Sequence, residues 1–414
     1  MPQKEAQTNE PSKGGSSGNG GSGPDKTQNS EASVISPRQS ASIIASTMIG
    51  IGVLTLPRAA VSASNQSGWL GIVLGTLTAM LIMWIISRLS RRFQAQSVIT
   101  YGANLLTPGK ARWLGKLLML PFALLLFVSW GWASALVARL FGEVVSTTML
   151  PTTPVEVIII TMLAAGFLLT MYAVEVLARV NEIMLPLIVV PILIIAISSF
   201  QRGRLENLFP LFEIDWQTLL NSVVITTPAL LGFEVMLLLS ANVQQGPSLI
   251  RNNLVGISIP GALYVLVAIA GISVFGYEEL HLLAWPTLEL VKSTEVPGLI
   301  LERLESGFLA VWVTAVFTTL ANYYYATSLI LKQILNLTNH RLISVILLPV
   351  LYWVAMQPNN MQELFTTQTV IGNMAMGGAM GIPLFLGLLG VLRQRLPSEG
   401  NDKPAGGSDR AGKE

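Results

Sequence analysis

Thr47-Met48-Ile49-Gly50-Ile51-Gly52-Val53-Leu54-Thr55-Leu56-Pro57 lies inside the first long apolar run of the chain, about 39–61. A membrane-spanning helix needs about 20 apolar residues, and this run is long enough. Its middle is unusual. Each glycine costs a helix interior roughly 1 kcal/mol relative to alanine, and in hydrocarbon every freed backbone group must find a partner. Two readings follow. Gly50 and Gly52 can let a neighbouring helix pack closely. Alternatively the helix breaks here, and two half-helices aim bare N–H and C=O groups at a solute near the midplane.

The rest of the chain sets the context. It has 414 residues, 51% hydrophobic and 12% charged, with mean hydropathy +0.59. A soluble chain carries about 25% charged residues, so this is a polytopic all-α membrane protein. Cysteine is absent, which excludes a disulfide framework, a thiolate nucleophile and a Cys metal site. His281 and His340 both fall in expected loops. No cofactor or metal is expected. With no nucleophile–base motif, metal-ligand cluster or phosphate loop, the chain is not read as an enzyme. No basic, aromatic patch suggests nucleic acid. The polar N-terminus is not a signal peptide, so the first span is expected to serve as an uncleaved insertion signal.

Residues 1–35 are rich in Gly, Ser, Asn and Gln and are expected to be a disordered tail. Ser36 as N-cap with Pro37 behind it opens the first helix. Residues 36–395 form the expected membrane domain, and 396–414 a second polar tail. Ten spans are expected, at about 39–61, 69–88, 114–142, 155–177, 183–200, 217–240, 254–276, 305–332, 342–357 and 369–392. One set of loops carries Arg88, Arg91, Arg92, Lys110, Arg112, Lys116, Arg179, Arg251, Lys332 and Arg341. The opposite set carries most of the acids, including Glu206, Asp215, Glu278 and Glu289. Basic loops face the cytoplasm, so both termini are expected there.

Ten spans divide into two fives, and an odd number per repeat inverts the second repeat. Such repeats hold the solute between the first helix of each, here spans one and six. Span six reads Val223-Val224-Ile225-Thr226-Thr227-Pro228-Ala229-Leu230-Leu231-Gly232-Phe233-Glu234. It too has proline, glycine and paired hydroxyls at mid-span. Pro228 removes a helical hydrogen bond, and the threonine hydroxyls can satisfy freed carbonyls. The expected fold is therefore LeuT-like: two inverted five-helix repeats with spans one and six broken.

These residues carry a resemblance. Met48–Pro57 resembles the Ile-Gly-x-Gly-Ile-Phe-x-x-Pro segment of span one in the amino acid–polyamine–organocation permeases. Ala229-Leu230-Leu231-Gly232-Phe233-Glu234 resembles the Phe-Ala-Phe-x-Gly-Phe-Glu segment of their span six. Within that superfamily the chain is most similar to the endospore germination permeases, the B subunits of nutrient germinant receptors. The ten-span length, the Ile35-Ser36-Pro37-Arg38-Gln39 start and the loop before span eight carry this likeness. That loop contains Trp285-Pro286-Thr287-Leu288-Glu289-Leu290 and Gly298-Leu299-Ile300-Leu301-Glu302-Arg303-Leu304-Glu305-Ser306. The resemblance covers about 35–395. It implies a small-molecule germinant, an amino acid first of all, and a place in the inner spore membrane. It also implies two partners, a larger membrane A subunit and a lipoprotein C subunit. The alternative is a secondary amino-acid transporter coupled to H⁺ or Na⁺, with Glu234 or the span-eight hydroxyls as coupling groups.

The candidate binding residues follow from the two breaks. Bare N–H groups along Ile49-Gly50-Ile51-Gly52 would hold a carboxylate, and carbonyls around Thr226 and Thr227 would hold an amine. Gly232 would form the second break. Phe233, Trp130 and Thr318 would bound the side-chain pocket. Trp130 and Ser134 share one face of span three, as Thr318 and Asn322 share one face of span eight. An ionisable group inside a span is a functional candidate: Glu234 either carries a proton, binds a ligand amine, or pairs with a hydroxyl. Arg139–Glu143 and Glu175–Arg179 have the i,i+4 spacing of ion pairs. Gly377 and Gly381 make a small-residue packing face.

Overall fold

The computed structural model describes residues 35–93, 96–107, 112–210, 216–294 and 304–394. The expected polar tails lie outside this range except for Ile35, as do Glu302, Arg303 and part of the loop before span eight. Helix α1 (Pro37–Ser64) starts as its sequence requires. The Gln39 N–H donates to Ser36 Oγ at 3.2 Å and the Ser36 N–H donates to Gln39 Oε1 at 2.9 Å. This reciprocal capping box satisfies two backbone donors, and Pro37 occupies the first helical position.

The other helices are α2 (Gly68–Arg92), α3 (Val98–Leu106), α4 (Arg112–Thr148), α5 (Val155–Thr170), α6 (Val174–Ser199), α7 (Trp216–Thr226), α8 (Met236–Leu239), α9 (Ser248–Leu282), α10 (Pro286–Ser293), α11 (Leu304–Ile334), α12 (His340–Ala355) and α13 (Met361–Gln394). Among the described residues, six stretches are long and apolar enough to cross a membrane, or seven if the bent pair Trp216–Leu230 and Phe233–Asn242 counts as one. One of the six, Gly52–Arg92, includes the end of α1 and all of α2. Each of the ten expected runs falls on helical structure, but α5 and α12 have 16 residues each, short of the roughly 20 of a straight crossing. Large apolar side chains such as Leu77, Leu117, Ile183 and Leu388 face outward, as a lipid-facing surface requires.

The expected break in span one is not there. Helix α1 runs through Gly50, Ile51, Gly52 and Pro57 as one 28-residue helix. The physical reason is that neighbouring side chains satisfy its weakened ladder. Pro57 has no N–H to give the Val53 carbonyl four residues back. The Thr287 hydroxyl on α10 supplies that bond at 2.5 Å. Tyr264 on α9 donates to Met48 O at 2.5 Å. Trp312 Nε1 on α11 donates to Gly50 O at 3.0 Å, and Thr319 Oγ1 donates to Ser46 O at 2.9 Å and Thr47 O at 3.1 Å. The glycines admit these partners closely: a Cβ on Gly50 would collide with the Thr319 side chain, and one on Gly52 with the Tyr264 hydroxyl.

Span six does break. Helix α7 passes at Thr226 into a 3-10 turn, Thr227–Leu230. Leu231 is extended, and a second 3-10 turn, Phe233–Val235, leads into α8. The two halves are bent by 59°. Gly232 has φ 129°, a region open to glycine and strained for other residues. A Cβ there would lie 2.9 Å from Met48 N and from Thr47 C. The broken segment therefore rests directly on the α1 backbone.

Among the charged pairs, Arg139 and Glu143 form an ion pair at 2.7 Å, whereas Glu175 and Arg179 form none among the described residues. Gly377 and Gly381 have nothing within 4 Å of a would-be Cβ, so at these two positions α13 packs against none of the described residues.

Thr287→Val should leave the Val53 carbonyl unpaired in the bundle and destabilise the protein by about 1–3 kcal/mol. Thermal unfolding of the purified protein in detergent measures this. A variant that melts with the wild type would show that the bond carries no stability.

Candidate functional site

The site is built around the break in span six. Beyond Gly232 the chain turns back on itself, and the Gly232 N–H donates to Glu234 Oε2 at 2.6 Å. The Tyr323 hydroxyl on α11 donates to Glu234 Oε1 at 3.2 Å. Glu234 is 1% exposed, so its carboxyl group stands at the join of the broken span and α11. Among the described residues, the buried polar atoms without a hydrogen-bond partner include Ser46 Oγ on α1, and Trp130 Nε1 and Ser134 Oγ on α4. Trp130 faces the Glu234 carboxyl group without forming a bond that meets hydrogen-bond geometry.

A cavity of about 470 Å³ has Leu231, next to the break, among its lining residues. Its polar floor includes Thr47, Gly52, Ala229, Thr319 and Tyr323. Its apolar walls come from Leu136, Val137 and Leu140 of α4, Ile225 of α7 and Ile371 of α13. Arg58, Ser62 and Gln362 stand at its mouth. The Arg58 guanidinium lies 5.4 Å from the Phe365 ring centroid, and Ser62 Oγ is 2.8 Å from His281 Nδ1. The opposite end of the bundle is tied together. Ile35 N–H donates to Asn242 O at 2.9 Å, and Gln244 N–H donates to Ile35 O at 2.9 Å. Ser40 Oγ donates to Asn253 Oδ1 at 2.6 Å, and Asn253 Nδ2 donates to Ser87 Oγ at 2.9 Å.

The sequence-derived candidates divide into groups. Gly52 lines the cavity. Gly232, Phe233 and Glu234 form the break, with Phe233 fully buried. Trp130 and Ser134 are buried on α4. Ile49 is a fully buried core residue. Gly50 is occupied by Thr319 and Trp312, and Ile51 is an internal position of α1. Because α1 is continuous, the N–H groups of residues 49–52 belong to its helical ladder and are not bare; this corrects the expected carboxylate site. The hydroxyls of Thr226 and Thr227, as distinct from the carbonyls expected to hold an amine, are engaged within the bundle. Thr226 Oγ1 bonds Ser222 O at 2.8 Å and Gly71 O at 3.2 Å, Thr227 Oγ1 bonds Val223 O at 2.6 Å, and both hydroxyls face α2 at Gly75.

On α11 the expected face is one residue out of phase. Thr318 bonds Ala315 O within its own helix at 3.0 Å. Asn322 exchanges two amide bonds with Asn181 of α6, at 2.8 and 2.9 Å, and donates to Thr47 Oγ1 at 2.8 Å. The cavity-lining pair is Thr319 and Tyr323. Sequence reasoning also missed the α13 wall. Its signal was present: Gln362, Thr369 and Asn373, at i, i+7 and i+11, put a polar stripe on one face of an apolar helix. No group of three possible metal ligands occurs among the described residues.

A family model described as "Spore germination protein" matches residues 34–364. The chain belongs to the spore germination protein family. Spore germination protein YndE of Bacillus subtilis (strain 168) is 29% identical over 370 residues, covering 88% of this chain and 99% of the relative. Two solved structures share the fold. MhsT, in a crystal structure with L-phenylalanine, superposes with a TM-score of 0.58 at 15% identity, covering 87% of this chain and 95% of that one. Mhp1 is a nucleobase-cation-symport-1 family transporter, in a closed conformation with bromovinylhydantoin bound. It superposes with a TM-score of 0.60 at 13% identity, covering 88% and 80%. This member of the spore germination protein family is thus a non-enzymatic multi-pass membrane protein with a LeuT-like fold.

Glu234→Ala should leave the Gly232 N–H unpaired and cost about 1–3 kcal/mol, whereas Glu234→Gln keeps an acceptor and should cost less. A double-mutant cycle of Glu234→Gln with Tyr323→Phe should show a coupling of about 0.5–3 kcal/mol in thermal unfolding. Additive effects would show that the 3.2 Å contact carries no energy.

Proposed function

We propose that this chain is the nutrient-sensing, membrane-embedded subunit of a spore germinant receptor, and that an amino acid binds in the cavity above the span-six break. Membership of the germination family supports the sensing role. The observation that carries the binding reading is the 470 Å³ cavity whose floor is the broken helix. Ligand pockets of small molecules have volumes of about 300–1,000 Å³. The floor oxygens of Ala229, Thr47, Thr319 and Tyr323 suit an ammonium group. The Leu231 N–H, whose bond to Pro228 O is stretched to 3.5 Å, suits a carboxylate. The aliphatic walls suit an apolar side chain.

In this reading the chain crosses the inner spore membrane ten times with both termini cytoplasmic. It works with a larger membrane A subunit and a lipoprotein C subunit. Ligand acts by its differential affinity for two arrangements of the bundle. A second reading, a secondary transporter coupled to H⁺ or Na⁺, is favoured by the transporter neighbours and by the buried Glu234 at the break. Uptake by the isolated protein in vesicles supports that reading; co-purification with A and C subunits supports the first.

The decisive experiment is a thermal-shift panel of L-amino acids, nucleosides and sugars on the purified chain. Gly52→Trp and Ala133→Phe serve as blocked variants. Ala133→Phe fills the cavity from α4, whereas Gly52→Trp also collides with Tyr264. An L-amino acid should stabilise the wild type and leave Ala133→Phe unchanged. Stabilisation only by a nucleoside or sugar would overturn the amino-acid assignment. Stabilisation that persists in both variants would overturn the cavity as the site.

A further inference from the structure

Tyr323 lines the cavity and Glu234 does not. The Tyr323 hydroxyl donates to Glu234 Oε1 at 3.2 Å, and the Gly232 N–H donates to Glu234 Oε2 at 2.6 Å. Glu234 is buried, and no cation pairs with it among the described residues. A buried carboxylate without a counter-charge is costly. The bundle therefore holds an unbalanced negative charge one hydroxyl away from the cavity.

The carboxylate also decides what Tyr323 shows to the cavity. A phenol has a single hydrogen to donate. With that hydrogen directed at Glu234, only the oxygen lone pairs face the cavity. The other floor groups are set the same way. Thr319 Oγ1 donates to Ser46 O at 2.9 Å and Thr47 O at 3.1 Å. Thr47 Oγ1 donates to Ile43 O at 2.5 Å and accepts from Asn322 Nδ2 at 2.8 Å. Ala229 presents a carbonyl oxygen, which stands against Gly52. These hydroxyl hydrogens all point into the protein, so the four groups accept hydrogen bonds from the cavity and donate none. A primary ammonium fits them, because it has three hydrogens, no lone pair and a positive charge to answer the one behind Tyr323. A hydroxyl has one hydrogen, no charge, and lone pairs that would meet other lone pairs.

We infer that Glu234 is the positioning residue that makes the cavity selective for a primary ammonium, acting through the Tyr323 hydroxyl and not by touching the ligand. This role presupposes the cavity reading proposed above and adds the residue that sets its specificity. Glu234→Gln isolates the role from stability. The Gly232 N–H needs an acceptor and takes the amide oxygen, which turns the amide NH2 toward Tyr323. Tyr323 then accepts that bond, and its own hydrogen is released toward the cavity. The variant keeps the shape and both hydrogen bonds but reverses the polarity of one floor group.

The test reads the melting temperature of the purified full-length chain against ligand concentration. The probes are L-alanine, L-valine, L-leucine and L-phenylalanine, each paired with the 2-hydroxy acid of the same skeleton, in which a hydroxyl replaces the ammonium. At least one amino acid should stabilise the wild type, and its hydroxy acid should act only at about tenfold higher concentration or more. Glu234→Gln should raise the amino-acid midpoint by about tenfold or more, and leave the hydroxy-acid midpoint unchanged or lower it. Tyr323→Phe, with Glu234 in place, should cost the amino acid as much, and adding Glu234→Gln to it should cost nothing further. An amino-acid midpoint unchanged in Glu234→Gln would overturn this role and leave the cavity reading standing. So would an equal loss for amino acid and hydroxy acid, the mark of a general distortion. A further loss in the double variant would overturn the action through Tyr323. A wild type stabilised by none of the four amino acids would overturn both this role and the amino-acid reading.

Discussion

A main chain in hydrocarbon has no water to fall back on, and every carbonyl without an N–H needs a donor from elsewhere in the protein. In helix α1 the Val53 carbonyl lacks an N–H because Pro57 stands four residues on, and Thr287 supplies its donor. Tyr264, Trp312 and Thr319 add side-chain bonds to the carbonyls of Met48, Gly50, Ser46 and Thr47. These bonds fix both the position and the straightness of α1 against α9, α10 and α11. The straight α1 then serves as the surface on which the broken span rests, because Gly232, having no side chain, can approach the backbone of Thr47 and Met48. The break, the Glu234 loop and the cavity above it all follow from that contact.

The fold class was legible because its signal is long and repeated: apolar runs with loop-borne charges require little more than counting. The span-six break was legible because Pro228 and Gly232 act locally. A proline withdraws a donor and a glycine tolerates φ 129°, and no distant residue undoes either. Span one carries the same kind of signature and does not break, since its remedy is non-local. Thr287 is 234 positions from Val53, and nothing in the sequence joins them. The α11 face was misplaced for a related reason. Thr318–Asn322 and Thr319–Tyr323 have the same i,i+4 spacing, so the pattern gives the stripe but not its phase. The phase is set by Asn181 on α6, which captures Asn322 with a paired amide bond.

The two ends of the bundle are built differently. At one end Arg58, Ser62 and Gln362 surround an open mouth. At the other a chain of small polar groups, Ser40, Asn253 and Ser87, joins α1, α9 and α2. Such short side chains lose little rotamer freedom when fixed, so they tie helices together at low entropic cost. A single main-chain bridge completes the arrangement.

That bridge, between Ile35 and Val243, is small enough to matter energetically. It consists of two backbone hydrogen bonds, together worth about 2 kcal/mol net. It joins the start of α1 to the end of the broken span, the same two helices that form the cavity floor. A solute binding with millimolar affinity releases about 4 kcal/mol. If half of that favoured an arrangement with the bridge undone, the two would balance. The strap at the closed end is thus of a strength that a weakly bound small molecule at the open end can match, and no tight ligand is needed to let the beginning of the chain go.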